Sequence, residues 1–502
     1  MKIFTLKEIE ILLKKNKSKK KIGLCHGVFD ILHEGHIEHF QESKKFCDIL
    51  VVTVTSNSYV NKGPNRPINN HFSRAKMLSS LKYIDYVAIN YNPTSENVIK
   101  SLKPNIYFKG KDYLGNTDHT NRLNSEMNAL KKVKAKLLIT KSDLKSSSKL
   151  INKNYTIFDN TKIQNYLSNQ NREYLLKTSL ESLSKIKNKK VLIIGDIILD
   201  QYSYVKVMNK PIKESILAAQ FIKTETYSGG VLAAANNLKG FCNNITVLSA
   251  CGDDNFSKSI INKNKKNFKN QIFFQKNTTT VTKRRFVDIG YNRKMHEVYY
   301  MKNEFLDEKT EKKIVNFLNK KCSTFDSVIL LDYGHGLVTN KIGKIVQKKS
   351  KFLSVNCQTN SANLGYNYIT KYKKANYVCI DEPEIRLAIS DNISSIEKLI
   401  KKLSKKIKSG IITITLGKRG SISYINGRSV KVPALITEKV IDTIGAGDVF
   451  LVITSMLNSI NTNSIVTNLV GNACGAQKVD IIGHKTNIDV SQVISSIKHL
   501  LK

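Results

Sequence analysis

Short β-branched runs alternate with stretches of helical apolar spacing along the whole chain. This alternation restricts it to parallel α/β architectures, in which the helix after each strand packs back on the sheet. In the first part the runs are 22–25, 48–55, 86–89, 106–108 and 136–140, with helices expected over about 35–45 and 73–81. A second series starts at 191–194 and continues at 246–249, 327–331, 352–355, 377–380 and 411–415. Between them, residues 142–190 are poor in Gly and Pro, and Leu167, Leu175, Leu176, Leu180 and Leu183 fall at helical spacing. The expected division is a doubly wound domain over 1–152, a linker with one amphipathic helix over 153–187, and a second doubly wound domain over 188–502. The polar, β-branched stretch 271–301 is expected to give the second domain a small β lid. No solenoid-type repeat occurs.

A length of 502 residues exceeds one ordinary core and by itself predicts about three domains. Hydrophobic residues at 41% and charged residues at 24% mark a soluble globular protein, not a disordered one. No apolar run approaches the roughly 20 residues that cross a bilayer. The first ten residues, interrupted by Lys2, Lys7, Glu8 and Glu10, read as an amphipathic helix and not as a signal peptide. Eight cysteines without a Cys-x-x-Cys pair fit reduced, mostly buried thiols in a cytoplasmic protein and argue against structural zinc. The formal charge of +41 comes almost entirely from Lys spread through both halves, as in Lys19-Lys20-Lys21 and Lys401-Lys402. Arg is sparse, Trp is absent, and no aromatic-flanked basic stripe emerges. Lys and Asn replace other polar residues almost everywhere, as a biased coding sequence would produce, and a basic field also attracts phosphorylated substrates. Neither nucleic acid nor a membrane is expected as a partner. The competing non-enzyme reading is a basic RNA- or membrane-surface-binding protein that uses these folds as scaffolds.

Two motifs carry the chemistry. The first is Gly27-Val-Phe-Asp-Ile-Leu-His-Glu-Gly-His36, directly after a predicted strand. A helix N-terminus there favours an anion through its free N–H groups and dipole. His33 and His36 share a helix face and reach one polyphosphate, while Gly27 and Gly35 let the backbone come close to it. Transfer of a nucleotidyl group needs alignment and charge stabilisation, with no covalent intermediate. The plainer alternatives for two nearby histidines are metal binding or surface polarity. The second motif is Asp442-Thr-Ile-Gly-Ala-Gly-Asp448. Gly445, Ala446 and Gly447 form a cradle of successive backbone N–H groups at a helix start. Asp448 stands beside the transferring group, placed to accept a proton from an attacking hydroxyl. The plainer alternative is an ordinary turn.

The first segment, about 20–152, resembles the cytidylyltransferase-like nucleotidyltransferases, whose His-x-Gly-His follows a Gly-x-Phe-Asp turn. The resemblance implies nucleotide contacts from Phe29 and Asp30 and a phosphate-binding Lys62 in Asn61-Lys-Gly-Pro-Asn-Arg-Pro67. It also implies a helix arginine at Arg74, a carboxylate at Asp112, and a looser phosphate contact at Ser147 and Ser148. Outside that resemblance Lys62 and Lys109 read as solvated charge.

The second segment, about 188–500, resembles the ribokinase-type (PfkB) carbohydrate kinases. Gly195-Asp-Ile-Ile-Leu-Asp200 matches the opening strand, which implies that Asp196 and Asp200 hold sugar hydroxyls. Ser228-Gly-Gly230 matches the substrate loop with Gly229 and Gly230, and Thr415-Leu-Gly-Lys-Arg-Gly420 matches the nucleotide loop with Thr415, Gly417 and Gly420. Asp381-Glu-Pro-Glu384 stands where the family organises magnesium, with Asp381 in place of Asn and Glu384 retained; a solvated helix start is the plainer reading.

Both segments together resemble the bifunctional heptose-phosphate kinase and nucleotidyltransferases (ADP-heptose synthase-like), with Lys283 and Arg285 in Thr282-Lys-x-Arg285 as further echoes. The departures are a reversed domain order, Gly229-Gly-Val-Leu-Ala233 without the sugar-contacting Asn, for which Asn236 or Asn237 would substitute, and Asn356-Cys-Gln358 in place of Asp-Pro-Lys.

The expectation is thus an enzyme that phosphorylates a sugar or sugar phosphate at its anomeric hydroxyl with ATP, then transfers a nucleotidyl group from ATP or CTP. Mg2+ would bridge the phosphates, and the kinase half would form a homo-oligomer. The alternative enzyme reading keeps the transferase active and has the kinase half diverged to another substrate or to regulatory binding.

Overall fold

The computed structural model describes residues 2–16, 20–60, 67, 69–110, 122–140, 161–208, 216–264, 266–290, 293–302, 304–435 and 440–501. The chain divides into two compact units, Met1–Ile157 and Phe158–Lys502, and not the three that length predicts.

In the first unit, β1 (Ile22–Gly27), β2 (Ile49–Thr55), β3 (Tyr86–Asn90), β4 (Ile106–Lys109) and β5 (Lys136–Ile139) form one parallel sheet in the order β3-β2-β1-β4-β5. All seven residues of β2 are buried, as expected of a strand covered on both faces. The order reverses at β1. In such sheets the crevice beyond the carboxyl ends of the strands at the reversal receives the ligand, and that is where Gly27 and the turn to the helix Glu34–Lys44 lie. The amphipathic helix read at the start spans Leu6–Asn16; its Ile9 and Leu13 pack in one core with Val98, Ile99 and Leu102.

The second unit has two sheets. The larger is built from β6 (Lys190–Gly195), β9 (Asn244–Gly252), β10 (Lys269–Gln275), β13 (Ser327–Asp332), β14 (Leu353–Cys357), β15 (Lys374–Asp381), β16 (Lys408–Thr415), β17 (Ser421–Ile425) and β18 (Arg428–Val432). Its order is β10-β9-β6-β13-β14-β15-β16-β17-β18, parallel through β16 and antiparallel in the last two strands. Successive residues of β6 feed opposite cores: Val191 and Ile193 one, Leu192 and Ile194 the other. The smaller sheet, the lid, is β12-β11-β7-β8, from β7 (Ile197–Val207), β8 (Ala219–Gly229), β11 (Val281–Asp288) and β12 (Arg293–Tyr300).

The expected lid needs correction. Residues 271–275 fall in β10 on the main sheet, and half of the lid comes from β7 and β8. Only Asp196 separates β6 from β7, so the apolar run from Val191 to Leu199 reads as one strand although the chain changes sheets in the middle of it. The stretch read as a single linker helix is two helices, Thr161–Ser168 and Arg172–Ile186, broken where Asn171 caps the second by accepting from the Tyr174 N–H at 3.0 Å. Ile163, Leu167, Leu175, Leu183 and Ile186 are buried in the second unit's own core.

All eight cysteines are buried and free. Among the described residues no helix is long and apolar enough to cross a membrane.

Candidate active sites

In the first unit, His33 has extended backbone (φ −141, ψ 170) and immediately precedes the helix Glu34–Lys44, with Gly35 buried in its first turn. His33 therefore does not share a helix face with His36, contrary to what the spacing predicts, yet from the position before the helix its ring stacks on that of His36, 3.9 Å between centroids. Two imidazoles and the free N–H groups of a helix start therefore occupy one place, a donor-rich setting for a polyphosphate. Phe29 takes a positive φ of 49, unusual without a glycine, and its ring meets His36 edge-on at 5.3 Å and Phe40 at 5.2 Å. A Cβ at Gly27 would come within 2.8 Å of the Phe29 ring. Gly27 is thus needed by the packing of Phe29, a different reason from the close ligand approach expected of it.

Asp30 and Arg74 are also placed differently from the expectation of nucleotide contacts. Asp30 is fully buried and accepts the Asn69 N–H at 2.9 Å, while its carbonyl accepts from Asn69 Nδ2 at 2.9 Å. The fully buried Arg74 guanidinium donates to the Asn69 carbonyl (2.8 Å), the Val28 carbonyl (2.6 Å) and Asn57 Oδ1 (2.8 Å). Its fork is taken up by the Val28 carbonyl of the phosphate turn and by Asn57 and Asn69 outside it, so it braces that turn from behind. Lys109 is not solvated: it pairs with the buried Glu126 at 3.0 Å, which also accepts from Ser95 Oγ at 2.6 Å. Lys62, Asp112, Ser147 and Ser148 lie outside the described residues. One residue was missed. His26 joins β1 to β2 through Thr53 Oγ1 (2.9 Å) and Thr55 Oγ1 (3.3 Å) just before Gly27, and a lone strand histidine has no spacing to reveal it.

In the second unit a cavity of about 340 Å3 gathers Asp200, Gly230, Lys283, Arg285, Asp381, Glu384, Thr415, Gly445, Gly447 and Asp448. These residues come from lid strands β7 and β11, from the carboxyl ends of β15 and β16, and from the starts of the helices Gly230–Leu238, Glu382–Ile389 and Ala446–Asn458. Gly445 precedes that helix with φ 78, and a Cβ there would meet His484 at 2.7 Å; a Cβ at Gly447 would meet nothing within 4 Å. One glycine is required by the fold and the other leaves the cradle open, with Ala446 between them. Burial raises the Asp448 carboxyl above its ordinary value, and Asp200 adds to this against the pull of His484, Tyr333 and Lys283.

Asp200 is the electrostatic centre of the cavity. Arg285 donates to it at 2.5 Å and His484 Nε2 lies 3.3 Å from its other oxygen, so despite burial its pKa is held below the ordinary carboxylate range. A Cβ at Gly229 would strike this carboxylate, and Gly230 has φ 55 with its would-be Cβ 2.4 Å from the Asp196 carbonyl. Burial lowers the Lys283 ammonium, with Asp200 and Glu297 opposing. Gly417 and Gly420, at φ 54 and 95, shape the turn from β16 to β17, while Thr415 is the residue of that motif at the cavity.

Asp381 and Glu384 form a capping box: each carboxylate accepts the other's N–H at 2.8 Å. Burial and the adjacent Asp381 charge push Glu384 up to about 8. Two buried carboxylates held together at a cavity repel each other, and a cation that keeps most of its water, as Mg2+ does, would offset that repulsion. Among the described residues no group of three or more acidic, His or Cys side chains is arranged to hold a metal unaided.

Two sugar contacts need correction. Asn237 donates to the Ala233 carbonyl (2.8 Å) and accepts from the Ile488 N–H (3.0 Å). Asn236 is tied to Asn264 and Asn267. Neither lines the cavity, so neither replaces the missing asparagine. Asp196 lines a separate cavity of about 40 Å3. His484 and Tyr333 line the main cavity and were missed, because each is brought there by a loop without a motif.

Residues 24–154 match the cytidylyltransferase-like profile and residues 188–485 the pfkB family carbohydrate kinase profile. Bifunctional protein HldE of Campylobacter fetus is 46% identical over 116 residues, 23% of this chain and 25% of that protein. Bifunctional protein HldE of Nitratiruptor sp. is 45% identical over 111 residues, 22% and 24% respectively. The chain thus spans about a quarter of the length of these curated relatives, within its N-terminal unit. Phosphofructokinase-2 from Escherichia coli, in complex with substrates and products, superposes with a TM-score of 0.52 at 13% identity over 62% of this chain and 100% of that one. The tetrameric inhibited form of the same enzyme gives 0.50 at 13% identity, over 62% and 99%. These likenesses support the ribokinase-type fold. With the family profile covering more than half of its length, the chain belongs to the pfkB family of carbohydrate kinases.

Proposed function

We propose that the chain is a bifunctional sugar-activating enzyme. The observation that carries the kinase half is the 340 Å3 cavity, which joins an open glycine cradle, the Asp448 carboxylate and the cationic pair Lys283 and Arg285. The nucleotide's terminal phosphate lies on the cradle at Gly445–Gly447, where helix N–H groups stabilise its charge. Asp448, its affinity for protons raised by burial, takes the proton of the anomeric hydroxyl as that oxygen bonds to the γ-phosphorus and ADP leaves. Asp381 and Glu384 would hold Mg2+ through water; when bound, the ion neutralises charge on the phosphates.

The nucleotidyltransferase half rests on the stacked His33 and His36 at the helix start and on the likeness to proteins called bifunctional. There the sugar 1-phosphate oxygen attacks the α-phosphorus of ATP or CTP, and pyrophosphate departs while the imidazoles donate to its oxygens. Lys62 and Asp112 belong to the same proposal. A heptose-like acceptor is favoured by the relatives, and a cytoplasmic setting by eight free, buried thiols.

We also infer a homo-oligomer through the kinase unit. β8 is an outer strand of the lid and exposes Phe221 and Ile222, an edge that a second copy would cover.

A second reading has a specific observation behind it. Ala233 is buried and Asn236 and Asn237 are occupied elsewhere, which favours a kinase half shifted to another sugar. The test is Asp448→Asn: it should lower ATP-dependent phosphorylation of any accepted sugar by about a thousandfold and leave nucleotidyl transfer to a supplied sugar 1-phosphate intact. Survival of both activities would remove Asp448 from the reaction.

A further inference from the structure

We infer that the Lys478 ammonium is a fixed positive charge built into the wall behind the glycine cradle, and that from there it stabilises the terminal phosphate of the nucleotide. This rests on the proposal that the second unit phosphorylates a sugar.

Lys478 is the last residue of the helix Ser464–Lys478, and it is 0% exposed. A lysine at a helix C-terminus is ordinary, because the dipole there favours a cation, but its ammonium normally ends in water. This one is buried. It donates to the Gly483 carbonyl, its one hydrogen-bond partner among the described residues, and it joins no ion pair among them. An ammonium has three donors, so a single carbonyl leaves the buried charge poorly compensated, which destabilises the fold. A neutral side chain would serve a purely structural position better.

Its place gives the charge a use. A Cβ at Gly445 would lie 3.3 Å from Lys478 Cε, so the end of this side chain packs against the first glycine of the cradle. Gly445 and Gly447 line the 340 Å3 cavity and Lys478 does not, which puts the ammonium behind the cradle. An entering phosphate meets the carboxylates of Asp200 and Asp448 in that cavity. Arg285 is already paired with Asp200 and Glu297, and Lys294 with Asp442. Lys283 faces the phosphate from the lid side, and Lys478 supports it from the opposite side of the cradle glycines. Solvent screens a buried charge far less than an exposed one. Burial lowers the pKa of Lys478, whereas Asp442, Asp448 and Asp200 favour its charged form and Lys294 opposes it. A phosphate on the cradle adds negative charge and holds the proton on.

The plainer role is an anchor for the turn at Gly483, whose N–H goes to Asp442 Oδ2 at 2.9 Å. A neutral donor separates the two roles. Lys478→Gln still offers an N–H to the Gly483 carbonyl but carries no charge.

The experiment is steady-state kinetics of the full chain with ATP, Mg2+ and an accepted sugar, beside thermal melts without nucleotide. Lys478→Gln and Lys478→Ala should each lower kcat/KM for ATP about ten- to a hundredfold, with KM for the sugar changed by less than about threefold. Lys478→Gln should not lower the melting temperature of the second unit, because it relieves a buried cation. Ethylammonium chloride should restore part of the activity of Lys478→Ala, and sodium chloride at the same ionic strength should not. Wild-type kcat/KM in Lys478→Gln overturns the inference, and so does a lowered melting temperature with both KM values raised, since each assigns Lys478 to the turn. Lys478→Ala that ethylammonium fails to revive overturns it as well. Absence of phosphorylation of every sugar by wild type removes the kinase proposal itself, whereas an active wild type with an equally active Lys478→Gln removes this inference alone.

Discussion

The Lys294 ammonium on lid strand β12 lies 2.6 Å from Asp442 Oδ1, which ties the lid to the first residue of the glycine-cradle motif. The other Asp442 oxygen accepts from Tyr202 on β7 at 2.8 Å and from the Gly483 N–H at 2.9 Å. Beneath them the fully buried Lys478 donates to the Gly483 carbonyl. Burial raises the Asp442 carboxyl, but Lys294 and the Ile444 and Gly483 N–H groups outweigh it and hold the pKa below its ordinary value. Lid and cradle are thus coupled through one carboxylate. Lys294→Met should raise KM for ATP and for the sugar together, each by about three- to tenfold, while Lys294→Arg keeps most of both. Steady-state kinetics checks this, and unchanged KM values for both substrates count against the coupling.

Arg74 separates two roles that the same residue type can play. A phosphate contact would show as a raised KM for the nucleotide on a fully stable unit. The observed fork, spent on Asn69, Val28 and Asn57, implies instead that Arg74→Met strands buried acceptors and costs the first unit about 2–4 kcal/mol. Chemical denaturation of the full chain should show one transition moved to lower denaturant. Nucleotidyl transfer should fall with it and phosphorylation persist.

Asp196 gives a pH dependence with a definite sign. Its folded pKa of about 7 lies above the ordinary value of about 4. The folded state therefore binds the proton more tightly than the unfolded chain does. That contribution to stability is fully present below about pH 4 and is lost as pH rises through about 7. Asp196→Asn should then stabilise the second unit by about 1–3 kcal/mol at pH 8 and by much less at pH 5. Thermal melts at the two pH values test it; an equal or larger gain at pH 5 contradicts the assignment.

What was legible in the sequence is what depends on local spacing. His33 and His36 fall three apart across the start of a helix, so the spacing brought both rings to its N-terminus, although His33 is extended and precedes the first turn. Gly445 and Gly447 announce a cradle because few other residues tolerate one. Six of the nine main-sheet strands, β6, β9 and β13 to β16, were found because buried parallel strands read as continuous apolar runs, whereas β10 was read as part of the lid and β17 and β18 were not read. What escaped depends on where the chain turns and which way side chains point. The passage from β6 to β7 at Asp196 is hidden inside one apolar run. His484 reaches Asp200 from a loop beyond Lys478, and no spacing relates the two. Arg74 and Asn237 have the residue types of ligand contacts, yet both bond to backbone, and direction is not encoded in residue type.

The most direct measurement is mass spectrometry of the products formed by the pure chain with Mg2+, ATP or CTP, and a panel of heptose and hexose phosphates. Wild type should yield a nucleotide-sugar and pyrophosphate from at least one sugar. Asp448→Asn should yield it only when the sugar 1-phosphate is supplied. A wild-type protein that forms neither a sugar 1-phosphate nor a nucleotide-sugar from any of them contradicts the account.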